Sequence, residues 1–384
     1  MKHLIFDVDI SGHHTEYLKH LVIYINETDT DDEFIFAVHE DFFIQCLNII
    51  SINKKRNVSF IGVSKNKLEK RNIKNRIKRS LYNFSLMHEY AISFKADIVY
   101  LMHLNVFQIA LGLKKYPYKI RGILFMQFTN MRVSSIRSFY YYIRRYFPFI
   151  LMNNNRNKLD KVFVLNDSET ALLLNRRYKT NIYEELPDPI NFELPEHIDI
   201  RLLYNIPPKA EVLLHFGSLA ERKGTLEAVR SLEYLPKEKS FVLLVVGRSK
   251  DKSFVNVLET EIQKINRHAN ITCIWDNNFV TDGRVSALFQ QSDVVLMPYK
   301  NPEASSGILG HAIAHKRKVI SPSGGLLGTL VNQLGLGITL LKIEPIFISE
   351  AINKIKDFEI NDSKCEWFYQ LHTPIEFARK LLWK

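Results

Sequence analysis

Cysteine is scarce. Cys46, Cys273 and Cys365 are the only three in 384 residues, and none has a neighbour at metal-ligand spacing. An odd, scattered set excludes a disulfide framework and a cysteine-based zinc site, and it fits a chain kept in a reducing cytoplasm. Long apolar runs are missing too. No stretch reaches the roughly 20 residues that a membrane-spanning helix needs, so contact with a bilayer is expected to be peripheral, on the inner face of the cell membrane. The opening MKHLIFDVDI breaks its apolar run with Asp7 and Asp9, which is unlike a signal peptide and reads as a first strand. G-x-G-x-x-G is absent, which removes the usual dinucleotide fingerprint. Acid is lacking locally: between Asp97 and Asp160 there is no Asp or Glu at all.

What is there describes a globular α/β protein. Hydrophobic residues make up 46% and charged residues 24%, the balance of a soluble chain long enough for two domains, each with its own core. Lys and Arg total 52 against 41 acidic residues, a net charge of +11. That sign suits phosphorylated ligands, an anionic membrane surface or nucleic acid.

Apolar strands alternate with helical patterns throughout. Leu4–Val8, Phe34–Val38, Val58–Val63, Ala96–Leu101, Ile123–Phe128, Lys161–Leu165 and Ile182–Leu186 read as strands of a first sheet. Pro187-Asp188-Pro189 then stops the chain, because proline removes amide donors and fixes φ, and marks a domain boundary. A second series follows, with strands at Val212–Phe216, Phe241–Val246, Ile271–Trp275, Val294–Met297 and Val319–Ser321. Unbroken apolar strands separated by helices predict parallel sheets covered on both faces. The expected architecture is two doubly wound domains, residues 1–188 and 189–362. A helical segment, 363–384, is expected to pack back on the first.

Two stretches carry charge patterns. Lys54–Arg79 holds eleven Lys or Arg and one acid, Glu69, over a helical stripe of Ile73, Ile77, Leu81 and Phe84. Either it is a helix on the sheet with a solvated basic face, or it is attracted to anionic lipid. Arg132–Phe149 interleaves arginines with seven aromatic residues. Rings and cations together suit a bilayer interface; a core helix with ordinary surface arginines is the plain alternative. Base stacking on a single strand is a remote third, so nucleic acid is not the expected partner.

Ligand chemistry concentrates in the second half. Tyr299–Leu330 begins where a strand ends, passes Glu303, and opens one helix at Ser305-Ser306-Gly307 and another at Gly324-Gly325. Helix starts offer unpaired amides and the positive end of a dipole, a natural seat for phosphate. Either serine is a candidate cap, and Glu303 could grip hydroxyls on whatever carries the phosphate. Gly217–Gly224, GSLAERKG, joins a strand to a helix and places Arg222 and Lys223 beside it. Arg chelates two oxygens and Lys gives a point charge, so the loop suits a diphosphate. Arg248 also ends a strand, and Trp275-Asp276-Asn277-Asn278 could frame a base; solvent exposure and core packing are the alternatives.

These motifs, in order and spacing over Val212–Gly337, resemble the donor domain of glycosyltransferases with the GT-B fold, in particular the large retaining family four. The matching residues are the Gly217–Gly224 loop, the strand end at Val246-Gly247, Ser292–Pro298, Glu303, and Lys318–Ser321 with Gly324-Gly325. The first half matches only in its alternation, its Gly12-His13-His14 turn and its exit at Leu186-Pro187-Asp188. The resemblance implies transfer of a sugar from a nucleoside-diphosphate donor in a cleft between the domains, without a metal or other cofactor. Glu303 would hold sugar hydroxyls, amides around Gly307, Ile308 and Leu309 would meet phosphate, and Lys223 would neutralise the leaving diphosphate. Gly217, Ser218, Arg222, Arg248, Asp276, Ser306 and His311 complete the expected donor set. Gly12, His13, His14 and Gln127 make the acceptor side, and His103 is the candidate catalytic histidine.

The chain departs from that pattern at three places. His311 stands where the second Glu of E-x7-E is usual, Ser218 where an Arg is usual, and Gln127 or Phe128 where the active-site His is usual. Asp7-x-Asp9 has the form of a metal-binding carboxylate pair, but at the end of a first strand it carries little weight. The expected acceptor is a glycan or lipid-linked glycan in surface polysaccharide assembly. A nucleotide-sugar epimerase and a non-catalytic nucleotide-sugar binder are the alternatives.

Overall fold

A computed structural model describes the chain except at residues 11, 126–135, 155–158, 191–192, 279, 304 and 384, and except for the side chains of 136–138, 141 and 145. The chain divides into two compact units. The first comprises Met1–Pro187 and Pro374–Lys384, the second Asp188–Thr373.

The first unit is built on a seven-stranded sheet. Its strands are β1 (Lys2–Asp7), β2 (Glu33–His39), β3 (Val58–Val63), β4 (Ile98–Leu101), β5 (Lys119–Leu124), β6 (Leu159–Leu165) and β7 (Tyr183–Leu186). They lie in the order β3-β2-β1-β4-β5-β6-β7, and every recorded pairing is parallel. Side chains alternate across the pleat, so consecutive apolar residues bury on opposite faces. Leu4 and Phe6 pack into one core layer and Ile5 into the other. Two buried faces require helices on both, which is why the strands are apolar without interruption.

The second unit repeats the plan with six strands. These are β8 (Glu211–Phe216), β9 (Phe241–Val246), β10 (Ile271–Asp276), β11 (Val294–Leu296), β12 (Lys318–Pro322) and β13 (Gly337–Leu340). Their order is β10-β9-β8-β11-β12-β13, again with parallel pairs. Val242, Leu244 and Val246 face one core, and Phe241, Leu243 and Val245 the other.

Three elements differ from the sequence reading. β13 is a sixth strand in the second sheet; GITL is short and mostly half-buried, so it carries no continuous apolar run. β5 lies four residues earlier than expected, because its parallel register with β4 pairs Ile98 with Lys119. The basic helix starts at Arg76, where the Asn75 side chain accepts from the amides of Ile77 and Lys78. Ile73 therefore precedes the helix, and Ile77 lies half exposed, outside its buried face.

The C-terminal segment forms two helices, Asp362–Leu371 in the second unit and Pro374–Trp383 in the first. The last is anchored by fully buried Phe377, whose ring lies 4.6 Å from that of Tyr17. Buried Tyr100 donates its hydroxyl to the Leu382 carbonyl at 3.3 Å.

Candidate functional site

In both sheets the connections leave the central pair of strands in opposite directions. In the second unit β8 leads to β9 and β11 leads to β12, so the switch point lies between β8 and β11. Parallel α/β sheets bind ligands outside the strand carboxyl ends at such a point.

The loop after β8 is drawn tightly against the loop after β11. Gly224 has φ 68°, and a Cβ there would collide with the Pro298 carbonyl oxygen. The Lys300 amide donates to the Arg222 carbonyl at 2.9 Å. Beneath them the buried ring of His215 binds the Leu296 carbonyl through Nδ1 and Thr225 Oγ1 through Nε2, both at 2.9 Å. Burial pushes that imidazole down to about 4. It is therefore a neutral strut between β11 and the helix Thr225–Ser231.

This framework places Lys223. Its ammonium lies 3.6 Å from the centroid of the buried Tyr299 ring, and among the described residues no carboxylate pairs with it. Burial, with the Arg222 charge adding, lowers its pKa to about 8. A cation held over a ring face without a counter-ion is poised for an incoming anion. The same Tyr299 turns its hydroxyl toward Ser306 Oγ, 3.5 Å away.

Ser306 is the residue before the helix Gly307–Ala314, but its side chain makes no capping bond. The Leu309 amide turns back to the Ser306 carbonyl at 2.9 Å, while those of Gly307 and Ile308 have no acceptor among the described residues. A Cβ on Gly307 or Gly324 would meet nothing within 4 Å, and neither glycine has a positive φ. The backbone does not require glycine there, so the two positions leave room at the starts of two helices. A Cβ on Gly217 would come within 3.4 Å of Ile308 Cδ1, which places the first loop against the first of those starts. Pro302, just before half-buried Glu303, accepts from the Leu327 amide at 3.2 Å and so docks on the second.

Most of the expected donor residues are thus gathered at one edge. Ser218, Arg222 and Arg248 are exposed there. Arg248 accepts from the Leu219 amide at 2.9 Å and donates through Nε to the Asn277 carbonyl at 2.8 Å. Asp276 is engaged internally: it accepts from Tyr204 at 2.7 Å, from Arg284 at 2.9 Å, and from Asn278. His311 is an inward-facing imidazole 5.3 Å from Phe289, with no partner for Nδ1 among the described residues and its pKa lowered by burial.

Sequence reasoning missed Tyr299. A single aromatic residue after a proline carries no pattern, and its role depends on a lysine far away in the chain. Ser305, one of the two candidate caps, donates its hydroxyl to Asp188 at 2.6 Å.

The first unit has its own switch point, between β1 and β4. Gly12, at φ 66°, precedes the helix His13–Glu27. His14 Nδ1 lies 2.8 and 2.9 Å from the two oxygens of buried Asp7. Burial opposes the His14 charge, but the Asp7 carboxylate outweighs it and the pKa is raised. Burial also raises Asp7, against the pull of His14, and pushes His13 and His103 down to about 4. The rings of His14 and His103 are 6.0 Å apart. Gln127, with Phe128, lies outside the described residues.

No protein-family model and no curated protein matches the chain. Solved structures do. The chain is similar to WaaG, a glycosyltransferase involved in lipopolysaccharide biosynthesis, at 14% identity over 100% of either chain with a TM-score of 0.63. It is similar to a glycosyltransferase from Rickettsia africae at 16% identity, covering 99% of this chain and 96% of that one, with a TM-score of 0.68. It is also similar to Anabaena HepE in complex with UDP at 15% identity, covering 99% and 98%, with a TM-score of 0.68. At such identities the likeness is one of fold: this chain has the two-unit parallel α/β architecture of GT-B glycosyltransferases.

Proposed function

We propose that this protein is a glycosyltransferase that takes a sugar from a nucleoside-diphosphate donor bound at the β8–β11 switch point. The observation that carries the reading is Lys223, uncountered and half-desolvated over Tyr299, beside helix starts opened by glycine. Two helix starts and a desolvated cation are complementary to a diphosphate, and the more so as charge develops on it. HepE in complex with UDP and with UDP-glucose shares this fold, which supports a donor of that class.

In the proposed reaction the bond from the sugar's anomeric carbon to the diphosphate breaks, and a bond to an acceptor hydroxyl oxygen forms with the same configuration. The hydroxyl proton is released. Lys223 and the amides of Gly307, Ile308 and Leu309 receive the charge left on the diphosphate, and no metal is needed there. Glu303 holds sugar hydroxyls, while Gly217, Ser218, Arg222, Arg248 and Ser306 line the donor. The acceptor, a glycan or lipid-linked glycan of a surface polysaccharide, binds to the first unit around Gly12, His13, His14, His103 and Gln127.

A peripheral membrane position is part of the proposal. The helix Ile136–Asn154 exposes Phe139, Ile143, Phe147 and Ile150, at helical spacing, with Arg144 also exposed. An apolar stripe with adjacent cations suits an anionic lipid surface. No helix among the described residues is long and apolar enough to cross a membrane.

Sugar-labelled donors incubated with membrane extract test the activity. Label is expected in a glycan or lipid fraction, with one nucleoside diphosphate released per sugar. Glu303→Ala and Lys223→Ala are each expected to cut the rate by about a hundredfold or more at unchanged far-UV circular dichroism. Isomerised donor without transfer would identify an epimerase instead, and bound but unaltered donor a binding protein.

A further inference from the structure

The loop and helix start that follow β1 bring Asp9 and His14 together with His103, which follows β4 far along the sequence. One donor atom each from Asp9, His14 and His103 lies within 4.8 Å of the others. β1 and β4 are neighbours, with Phe6 beside Leu101, so the residues that follow them emerge side by side at the switch point. His14 is buried, and Asp9 and His103 are half-buried.

The arrangement around the trio is that of a prepared ligand set. Asp7, beneath His14, takes both of its own oxygens to Nδ1, at 2.8 and 2.9 Å. Nδ1–H must therefore donate, which leaves Nε2 with its lone pair as the ligating atom. A carboxylate behind a histidine in this way fixes its tautomer and raises its basicity, as metal sites do. Arg71 reaches Asp9 Oδ1 at 3.2 Å from Nη1 while Asn83 holds its Nε at 2.6 Å. One Asp9 oxygen is thereby fixed, and the other is left for an ion. Phe125 closes the site from one side, 5.3 Å from the His103 ring and 4.7 Å from the His13 ring. With Asp7 and Asp9 ionised and Arg71 paired to Asp9 at the rim, the surroundings carry a net negative charge, which favours a cation.

The geometry points to a binding site for a divalent transition-metal cation in the first unit, with His14, His103 and Asp9 as ligands and Asp7 orienting His14. Two imidazoles and one carboxylate select an ion of the zinc, cobalt or nickel kind over magnesium or calcium. Three protein ligands leave one position of a tetrahedral ion open, to water or to an oxygen of a bound substrate. Ligand bonds of about 2.1 Å put donor atoms about 3.4 Å apart, so the trio closes on an ion by side-chain rotations of roughly an ångström. This site belongs to the first unit and the donor loops to the second, and it stands whether or not the chain transfers sugar.

The test uses full-length protein without a polyhistidine tag, stripped with chelator and then titrated with Zn2+ or Co2+. Expected are one equivalent bound per chain, a rise in melting temperature, and visible absorption from four-coordinate Co2+. Asp9→Asn and His103→Asn are each expected to weaken binding at least tenfold and to abolish the Co2+ bands. Asp7→Asn, which keeps all three ligands, is expected to weaken it about 10–100-fold. Far-UV circular dichroism checks that each variant folds. Substoichiometric metal after loading, or unchanged affinity in Asp9→Asn and His103→Asn, would overturn the assignment and leave His14–Asp7 as a metal-free hydrogen-bonded pair.

Discussion

At the scale of single residues, burial changes what ordinary side chains can do. Lys223 is a common residue whose ammonium is brought to about 8 by burial and by Arg222. Below that pH it is a cation without a counter-ion; above it, the free protein loses the charge that a diphosphate needs. Donor affinity should therefore fall as pH rises from 7 to 9.5, and binding near pH 8.5 should take up a proton, because the bound anion favours the charged form. Calorimetry in buffers of different ionisation enthalpy measures that uptake. Lys223→Arg, charged throughout, should bind without it, and a flat affinity profile in the parent protein would contradict the assignment. Gly247 supplies a second residue-scale outcome. At φ 143° it lies so close to the Gly217 carbonyl that a Cβ would collide. Gly247→Ala should lower the urea midpoint, with a loss of about 2 kcal/mol or more from backbone strain and overlap. An unchanged midpoint would show that the loop relaxes freely.

Residue roles were only partly legible in the sequence. Lys223, Gly307 and Gly324 follow strand ends at helix starts, a local pattern, and the structure gathers them at one edge. Tyr299 was not, and His14 and His103 were candidates one by one but not as a group with Asp9, because that meaning comes from contacts between strands far apart in the chain. Asp276 shows the converse: a polar residue ending a strand looks available, yet its oxygens are taken by Tyr204, Arg284 and Asn278.

At the scale of elements the apolar strands were the clearest signal. Strands buried on both faces, such as FVLLVV at β9, have no alternation to confuse with a surface element. β13, with three of its four residues half-buried, had no such run. The helix Ile136–Asn154 carries the remaining element-scale outcome. Its exposed Phe139, Ile143 and Phe147 face away from the core, so replacing all three with Ser should leave the fold intact. The fraction floating with anionic vesicles should then drop severalfold, as it should for Arg144→Glu. Equal flotation of parent and variant would make the stripe an ordinary surface.

At the scale of the whole molecule, each parallel sheet has its own switch point, and the proposed donor site lies at one and the proposed metal site at the other. The most direct test is a melting-temperature screen of the parent protein against UDP, GDP, ADP, CDP and dTDP, repeated on Lys223→Ala. A ligand that binds only the folded state, at a hundred times its dissociation constant, stabilises by about 2.7 kcal/mol. At least one of these diphosphates is expected to raise the melting temperature of the parent and not of Lys223→Ala. No shift with any of them, or the same shift in the variant, would contradict it.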